Sequence, residues 1–191
     1  MRRIVLVLCG ATALLGAWAW RAQAEGKQGA VERGAYLVSI GSCNDCHTPW
    51  KLTEQGPAPD FSRLLSGHPQ GMQLPPAPAL PPGPWGFVGA LSMTAWAGPW
   101  GVSYTANLTP DEATGIGAWS EVNFIKAMRT GRHLGGGRPI LPPMPWEWVG
   151  KMSDEDLKAV FAYLKSIKPI KNQVPDPILP RPPAAPAKGG S

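Results

Sequence analysis

The chain has 191 residues, of which 43% are hydrophobic and 16% are charged, and its formal net charge is +5. Arg2, Arg3 and Arg21 lie within the first 24 residues, so the other 167 residues carry 15 Lys and Arg against 13 Asp and Glu, a net charge of +2. These bases are dispersed, which excludes the basic stripe of a nucleic-acid-binding protein. The length suits a single domain.

Residues 1–24 have the pattern of an export signal. A basic start is followed by an apolar run from Ile4 to Trp20, and Ala22-Gln23-Ala24 forms a small-residue cleavage site. The run is 17 residues long, which exceeds the core of an ordinary signal and falls a little short of the roughly 20 residues that span a bilayer. An uncleaved membrane anchor is therefore the alternative to a cleaved signal peptide, and either one predicts export.

The helical spacing of Val31, Ala35 and Val38 predicts a first helix over residues 28–40, which Gly41 and Ser42 end. Directly after it stands the sequence Cys43-Asn44-Asp45-Cys46-His47. Two cysteines at this spacing with a histidine after them are typical of covalent attachment of haem c. Each thiol forms a thioether with one haem vinyl group, and the imidazole of His47 is then the proximal iron ligand.

Other uses of the two cysteines are a redox-active dithiol, a zinc site and a structural disulfide. A redox-active dithiol at this spacing is typical of a thioredoxin-like unit, in which strands flank the motif. The sequence does not predict such strands here. A zinc site wants about four ligands, and the only candidates after residue 24 are Cys43, Cys46, His47, His68 and His133. A disulfide that closes so short a loop would stabilise the fold little, because the stabilisation grows with the length of the closed loop.

From residue 56 to 103 the chain is rich in Pro and Gly, and neither a helical nor a strand period persists. Trp85, Trp96 and Trp100 favour an ordered loop insertion over a flexible linker, because a linker has no reason to carry such large apolar side chains. Short strands around residues 85–88 are a weak alternative.

Two helices are predicted after this insertion. The first follows Ser120 as its N-cap and ends at Gly131, and its apolar stripe makes Met128 a core residue. The second begins after Ser153 and ends before Lys168-Pro169. Residues 172–191 contain repeated prolines with Ala and Gly, which predicts a Pro-rich tail that is extended or disordered.

A haem held by His47 alone has an open sixth position. Met144 is the leading candidate for it, because the prolines around it in Leu141-Pro142-Pro143-Met144-Pro145-Trp146 restrict the backbone that presents the side chain. Histidine with methionine is a usual ligand pair in haems that carry electrons. The remaining candidates are Met72, Met93, Met128, Met152, His68 and His133, although a histidine in a glycine-rich loop is more often exposed.

Several segments resemble the monohaem class I cytochrome c modules, and among these the modules of cytochrome subunits of membrane-bound alcohol and sugar-acid dehydrogenases. They are residues 32–38, the haem motif with Thr48-Pro49, residues 105–111 and 114–119, Pro142-Pro143-Met144-Pro145-Trp146, and residues 154–164. The resemblance spans about residues 30–172 and implies a mostly α-helical class I fold, with first and last helices crossing beside one haem crevice. It implies His47 and Met144 as axial ligands and places Asn107 and Thr109 near the haem, where they would hydrogen-bond a propionate. The alternative, from turn chemistry, is a turn organised by Thr109-Pro110-Asp111. Those subunits carry three such modules, whereas this sequence has one haem motif.

The sequence therefore predicts a signal or anchor (residues 1–24), a cytochrome c domain (28–171) with the insertion 56–103, and a tail (172–191). We expect an exported, periplasmic electron carrier with one covalent haem c, bound by Cys43, Cys46, His47 and Met144, and not an enzyme by itself. Its expected partners are redox proteins such as a dehydrogenase, an oxidase or another cytochrome, and an uncleaved anchor would attach it to the inner membrane. The alternatives are a haem enzyme or gas sensor with an open sixth position, or the electron-transfer subunit of a dehydrogenase or oxidase complex.

Overall fold

The computed structural model describes residues 25–78, 80 and 83–180. The predicted signal or anchor over residues 1–24 therefore lies outside the described residues. Within them, no helix is both long and apolar enough to cross a membrane. The helices are α1 (residues 25–40), α2 (Cys43–His47), α3 (Glu121–Thr130), α4 (Trp146–Val149) and α5 (Asp154–Ser166), with single 3₁₀ turns at Phe61–Arg63 and His133–Gly135.

The main core forms where α1, α3 and α5 meet. Gly34 of α1 lies directly against the backbone of Ala159 in α5, and a Cβ at this glycine would also stand 2.8 Å from the Cβ of Tyr163. Beside this contact, Arg33 and Asp156 form an ion pair at 3.0 Å. The contact between α3 and α5 includes the rings of Phe124 and Phe161, whose centroids are 5.4 Å apart. The buried apolar core is completed by Leu37, Val38, Leu65, Ile116, Ala127, Met128, Leu157, Val160 and Leu164.

The ends of α3 and α5 confirm the predicted caps. The Ser120 side chain accepts a hydrogen bond from the Asn123 amide, and the Ser153 side chain accepts one from the Asp156 amide. Each bond satisfies a helix N–H that has no partner within the helix. Gly131 ends α3 with a φ of 64°, a left-handed conformation that glycine adopts without steric cost.

Two small antiparallel sheets are formed by the predicted loop insertion (residues 56–103) and the residues next to it, since the first strand precedes residue 56 and the last ends at Tyr104. In the first, β1 (Trp50–Thr53) pairs with β2 (Gly56–Pro59); in the second, β4 (Ala95–Gly98) lies between β3 (Val88–Gly89) and β5 (Gly101–Tyr104). These strands have two to four residues each, too few for an alternating pattern to show in the sequence. The weakly predicted strand around residues 85–88 is found only from Val88 onward.

Residues 170–180 form a strap that packs back onto the domain. Asn172, where the Pro-rich tail was predicted to begin, is only 1% exposed. Ile178 pairs with Val102 in an antiparallel bridge, which attaches the strap to the edge of β5. Specific side-chain hydrogen bonds, and not apolar periodicity, hold this segment on the domain. Residues 181–191 lie outside the described part.

Candidate haem site

The two cysteines of the motif lie on α2, a five-residue helix that follows the turn at Gly41 and Ser42. Both are free thiols, so the structure contains no disulfide between them. Burial raises the pKa of Cys43 to about 11, and burial followed by the charge of Asp45 raises the pKa of Cys46. The structure thus holds two neutral thiols one helical turn apart, next to His47.

His47 is 7% exposed, and its ring is held in one orientation by a backbone oxygen. Its Nδ1 atom lies 2.8 Å from the carbonyl oxygen of Ala106. A carbonyl only accepts hydrogen bonds, so Nδ1 carries the proton and Nε2 keeps its lone pair. Burial also lowers the pKa of His47, against the opposing effect of the Ala106 hydrogen bond. The ring is therefore a neutral imidazole with a free Nε2, the form that binds a metal.

The end of β5 and the residues directly after it connect His47 to the segment that carries Met144. The Ser103 hydroxyl donates to the carbonyl oxygen of Pro142 at 2.6 Å, and three residues later Ala106 accepts from His47. Three residues of extended chain span at most about 11 Å, so one short segment anchors both predicted ligand regions. Met144 and Cys43 also pack against the same apolar core.

His68 is buried, whereas the sequence suggested an exposed position in a loop. His68 is 1% exposed, its Nδ1 lies 2.9 Å from the Thr94 hydroxyl, and its ring centroid is 4.8 Å from that of Tyr104. Burial lowers the pKa of this histidine. His68 thus packs against Thr94 and Tyr104, beside the start of β4 and the end of β5, and the hydrogen bond to Thr94 occupies one of its two ring nitrogens. The expectation of an exposed side chain was wrong for it.

His133 is exposed, as expected for a histidine in a glycine-rich loop. Its ring makes an edge contact with Trp119, with centroids 4.9 Å apart at 90°, and it lines a cavity of about 350 Å³ with Glu112 and Leu134. Met128, which the sequence placed in the core, is buried there. Among the residues described, no group of three or more His, Cys, Asp or Glu side chains is arranged to hold a metal ion.

Five buried polar side-chain atoms of the described residues lack a protein partner, and four of them, in segments that follow His47 in the chain or adjoin its contacts, allow a test of whether a haem fits. The four are Trp50 Nε1, Arg63 Nε, Ser66 Oγ and Thr105 Oγ1, and the fifth is Trp96 Nε1. Two of these residues adjoin contacts of His47, since Gly67, after Ser66, donates its amide to the His47 carbonyl, and Thr105 precedes Ala106. Buried polar groups are nearly always hydrogen-bonded. Haem carries two carboxylates, which only accept hydrogen bonds, so these donors fit that group.

Sequence reasoning did not identify Trp50, Arg63, Ser66 or Thr105 as site residues. One signal was available for Arg63, because it is the last charged residue before a run of uncharged residues that extends from 64 to 110. In the structure Arg63 is partly buried and one of its terminal nitrogens donates to Asn172 Oδ1 at 3.0 Å, while its Nε has no partner. Indole and hydroxyl side chains give no comparable signal, since their missing partners become visible only in three dimensions.

The side chains of Asn107 and Thr109 already form hydrogen bonds within the loop and to the strap. Few of their hydrogen-bonding groups therefore remain for a haem propionate. The Asn107 side-chain oxygen accepts from the amide and the hydroxyl of Thr109, and its nitrogen donates to the Ile170 carbonyl at 2.8 Å. The Thr109 hydroxyl in turn accepts from the Ile170 amide at 3.0 Å. Of the two roles considered for this loop, the structure favours the structural one, with the strap as its partner.

Comparison with known proteins identifies relatives of the whole central region, although no model of a protein family matches the chain. The gluconate 2-dehydrogenase cytochrome c subunit of Pantoea cypripedii is 32% identical over 153 residues, which make up 80% of this chain and 26% of that protein. The cytochrome c subunit of the quinone-dependent alcohol dehydrogenase of Gluconobacter oxydans is 28% identical over 149 residues, 76% of this chain and 24% of that protein. The fructose dehydrogenase cytochrome subunit of Gluconobacter japonicus is 28% identical over 153 residues, 80% of this chain and 24% of that protein.

The chain is related to cytochrome c subunits of dehydrogenases. It spans between 24% and 26% of the length of these three relatives, so it corresponds to one part of each of them. The resemblance noted from the sequence motifs is thereby supported at the level of a cytochrome c module.

Proposed function

We propose that this chain is the electron-transfer module of a dehydrogenase complex and carries one covalently attached haem c. The observation that carries the proposal is the His47 ring, fixed by Ala106 with a free Nε2 beside two unpaired thiols. Cys43 and Cys46 would attach the haem through thioethers, and His47 and Met144 would bind its iron. The names of the relatives favour a subunit of a complex over the independent shuttle that the sequence first suggested.

The bound haem would supply the one-electron Fe(III)/Fe(II) chemistry, and the protein would control its environment. The Ala106 carbonyl orients His47 and increases its basicity through the Nδ1 hydrogen bond. Met144 would favour the reduced state relative to a second histidine. Arg63 and Trp50 would bind the carboxylates, and the apolar core behind Cys43 would exclude water. No residue of this chain acts as a catalytic acid, base or nucleophile in this role.

The proposed location is the periplasm, with residues 1–24 as a cleaved signal or as an anchor to the inner membrane. This proposal is supported by the export pattern in the sequence, and covalent attachment of haem c requires export in bacteria. An enzyme or gas sensor with an open sixth position is the alternative that would apply if Met144 did not bind the iron. Its distinguishing property is rapid carbon monoxide binding by the reduced protein at neutral pH.

The attachment is tested by producing the full chain in a host that matures c-type cytochromes and recording its alkaline pyridine haemochrome spectrum. We expect the spectrum of a haem with two thioethers, and Cys46→Ala should give that of a haem with one remaining vinyl group. Asn44→Ala, inside the same motif, is the control and should keep both thioethers. A wild-type protein without haem, or with a haem that acid-acetone removes, would contradict the proposal.

A further inference from the structure

Residues 64–110 contain no Asp, Glu, Lys or Arg, although the whole chain has 31 such residues. This uncharged stretch includes the β3–β4–β5 sheet and does not bury all of its large side chains. Trp85 is 78% exposed, and Phe87 and Leu91 are also exposed. Burying the apolar surface of a tryptophan is favourable, so leaving Trp85 exposed to water forgoes free energy that a binding partner could supply. The absence of charged residues near it in sequence makes this surface unusual for a protein that functions alone.

The strap adds further apolar side chains to this surface. Ile178, which is bridged to Val102 of β5, is exposed, and so is Leu179. Trp85 lines a cleft of about 600 Å³ that reaches Gly101 and Val102, so the strap and the tryptophan border the same region. We call the surface formed by Trp85, Phe87, Ile178, Leu179 and this cleft the neutral face.

The neutral face is built as a firm platform. The Phe87 ring packs against Trp96 and Trp100, with centroids 6.1 Å and 5.9 Å apart. Gly101, at φ 95°, lies against the Ile178 backbone so closely that a side chain would not fit there. The Phe87 side chain, held in this way, loses little conformational freedom on binding, which favours affinity.

We propose that the neutral face is the permanent docking surface for an uncharged, apolar surface of the catalytic dehydrogenase subunit; this inference rests on the proposed function. The absence of charged residues from the stretch 64–110 distinguishes a permanent subunit from a transient redox partner and from a lipid surface. Transient electron-transfer partners are steered by complementary charges, whereas permanent subunit interfaces are more apolar. Bacterial lipid surfaces are anionic and attract Lys and Arg; the stretch 64–110 lacks both, and the described charged residue nearest in sequence to Ile178 is the acidic Asp176.

Shape and position agree with this choice. A protruding tryptophan beside a cleft is complementary to a protein surface with matching relief, and buried tryptophans are frequent anchors of interfaces. The platform also continues into the haem site, since Tyr104 ends β5 and Ala106, two residues later, holds His47. A subunit docked on the neutral face would therefore bind next to the segment that orients the proposed iron ligand.

The inference is tested in the organism that makes the protein, by placing a photo-crosslinking phenylalanine derivative at position 85 of the full chain. The same derivative at position 122 is the control, because Val122 on α3 is 71% exposed but lies outside the neutral face. We expect position 85 alone to crosslink to a protein that mass spectrometry identifies as a dehydrogenase subunit, whose substrate reduces the haem of the isolated complex. Crosslinking of position 85 to lipid, to a second copy or to nothing would overturn the inference.

Quantitative binding to the dehydrogenase so identified completes the test. Trp85→Lys should weaken the complex by about thirtyfold or more, as expected for an interface anchor, while Val122→Lys should leave it unchanged. Raising the salt concentration from about 0.05 to about 0.5 M should change the affinity little, because a neutral interface has no ion pairs to screen. Both variants should keep the wild-type haem spectrum. Absence of haem would refute the proposed function itself, whereas a normal haem with unchanged affinity of Trp85→Lys would refute only the docking surface.

Discussion

The Nδ1 atom of His47 lies 2.8 Å from the carbonyl oxygen of Ala106, 59 residues later in the chain. This hydrogen bond determines which ring nitrogen is free and connects the thiol-bearing helix α2 to the end of β5. Through Ser103, the same segment also binds the carbonyl of Pro142, two residues before Met144. The ligand arrangement that we propose therefore depends on the segment 103–106 as a common anchor.

Replacement of Met144 tests this arrangement directly. Met144→Ala should abolish the near-infrared absorption band of ferric haem with a sulfur ligand and lower the reduction potential, because a thioether favours the ferrous state. Met152→Ala is a matched control, since both methionines are partly buried and pack against the same core. That variant should keep the band. An intact band in Met144→Ala would show that another side chain is the ligand.

The contact between α1 and α5 should be sensitive to a single methyl group. At Gly34 an added Cβ would overlap the Ala159 backbone, so Gly34→Ala should reduce the free energy of unfolding by about 1–3 kcal/mol. Gly29 lies on the same helix with no atom near its Cβ position, and Gly29→Ala should stabilise the protein by about 0.5–1 kcal/mol. Denaturant unfolding measures both. Equal effects at the two positions would mean that the helices do not approach each other at Gly34.

Asn172 should be the residue on which the strap depends. Its Oδ1 accepts from Arg63 and from the Gln70 amide, and its Nδ2 donates to the carbonyls of Ser66 and His68. Asn172→Ala would leave these buried groups without partners and should reduce the free energy of unfolding by about 2–4 kcal/mol.

The neighbouring change Gln173→Ala is the control for the strap, because the Gln173 side chain is exposed and its bond to Gln70 is made by its backbone amide. It should change stability little. Limited proteolysis should cleave Asn172→Ala within the strap faster than the wild type. Similar stability of the two variants would show that the strap is not held by the Asn172 side chain.

The carboxylate of Asp111 should make the loop after residue 109 sensitive to acid. The hydroxyl and amide of Thr114 donate to it at 2.6 and 2.8 Å and hold the pKa of Asp111 below its usual 3.8. A group whose pKa is lower in the folded state contributes stability above its unfolded pKa and loses it as the pH falls through the folded value. Asp111→Asn should therefore be less stable than the wild type near neutral pH, and the difference should shrink in acid as the carboxylate becomes protonated.

Glu112→Gln removes the adjacent carboxylate and controls for the general loss of a negative charge. Denaturant unfolding from neutral pH down into the acid range distinguishes the two variants. A stability difference for Asp111→Asn that is independent of pH would rule out the bonded carboxylate as its cause.

Local signals in the sequence were sufficient for helices α1, α3 and α5 and for the motif, but not for the short helices α2 and α4. Ser120, Gly131 and Ser153 marked helix ends because capping depends on residues a few positions apart. The buried stripe of α5 followed from the helical period, and the thiols with His47 followed from fixed spacing. Each of these features needs only neighbouring residues to be recognised.

The tertiary structure decided the features that join distant segments. The tautomer of His47 depends on Ala106, the burial of His68 on Thr94 and Tyr104, and the strap on Asn172, and no periodic pattern encodes such single contacts. The strands of the insertion are too short to show a period, and their Pro and Gly residues resemble those of a loop. The sequence thus determined the residue types and spacing from which we propose a haem site, while the fold determined how those side chains are oriented and which apolar side chains stay exposed.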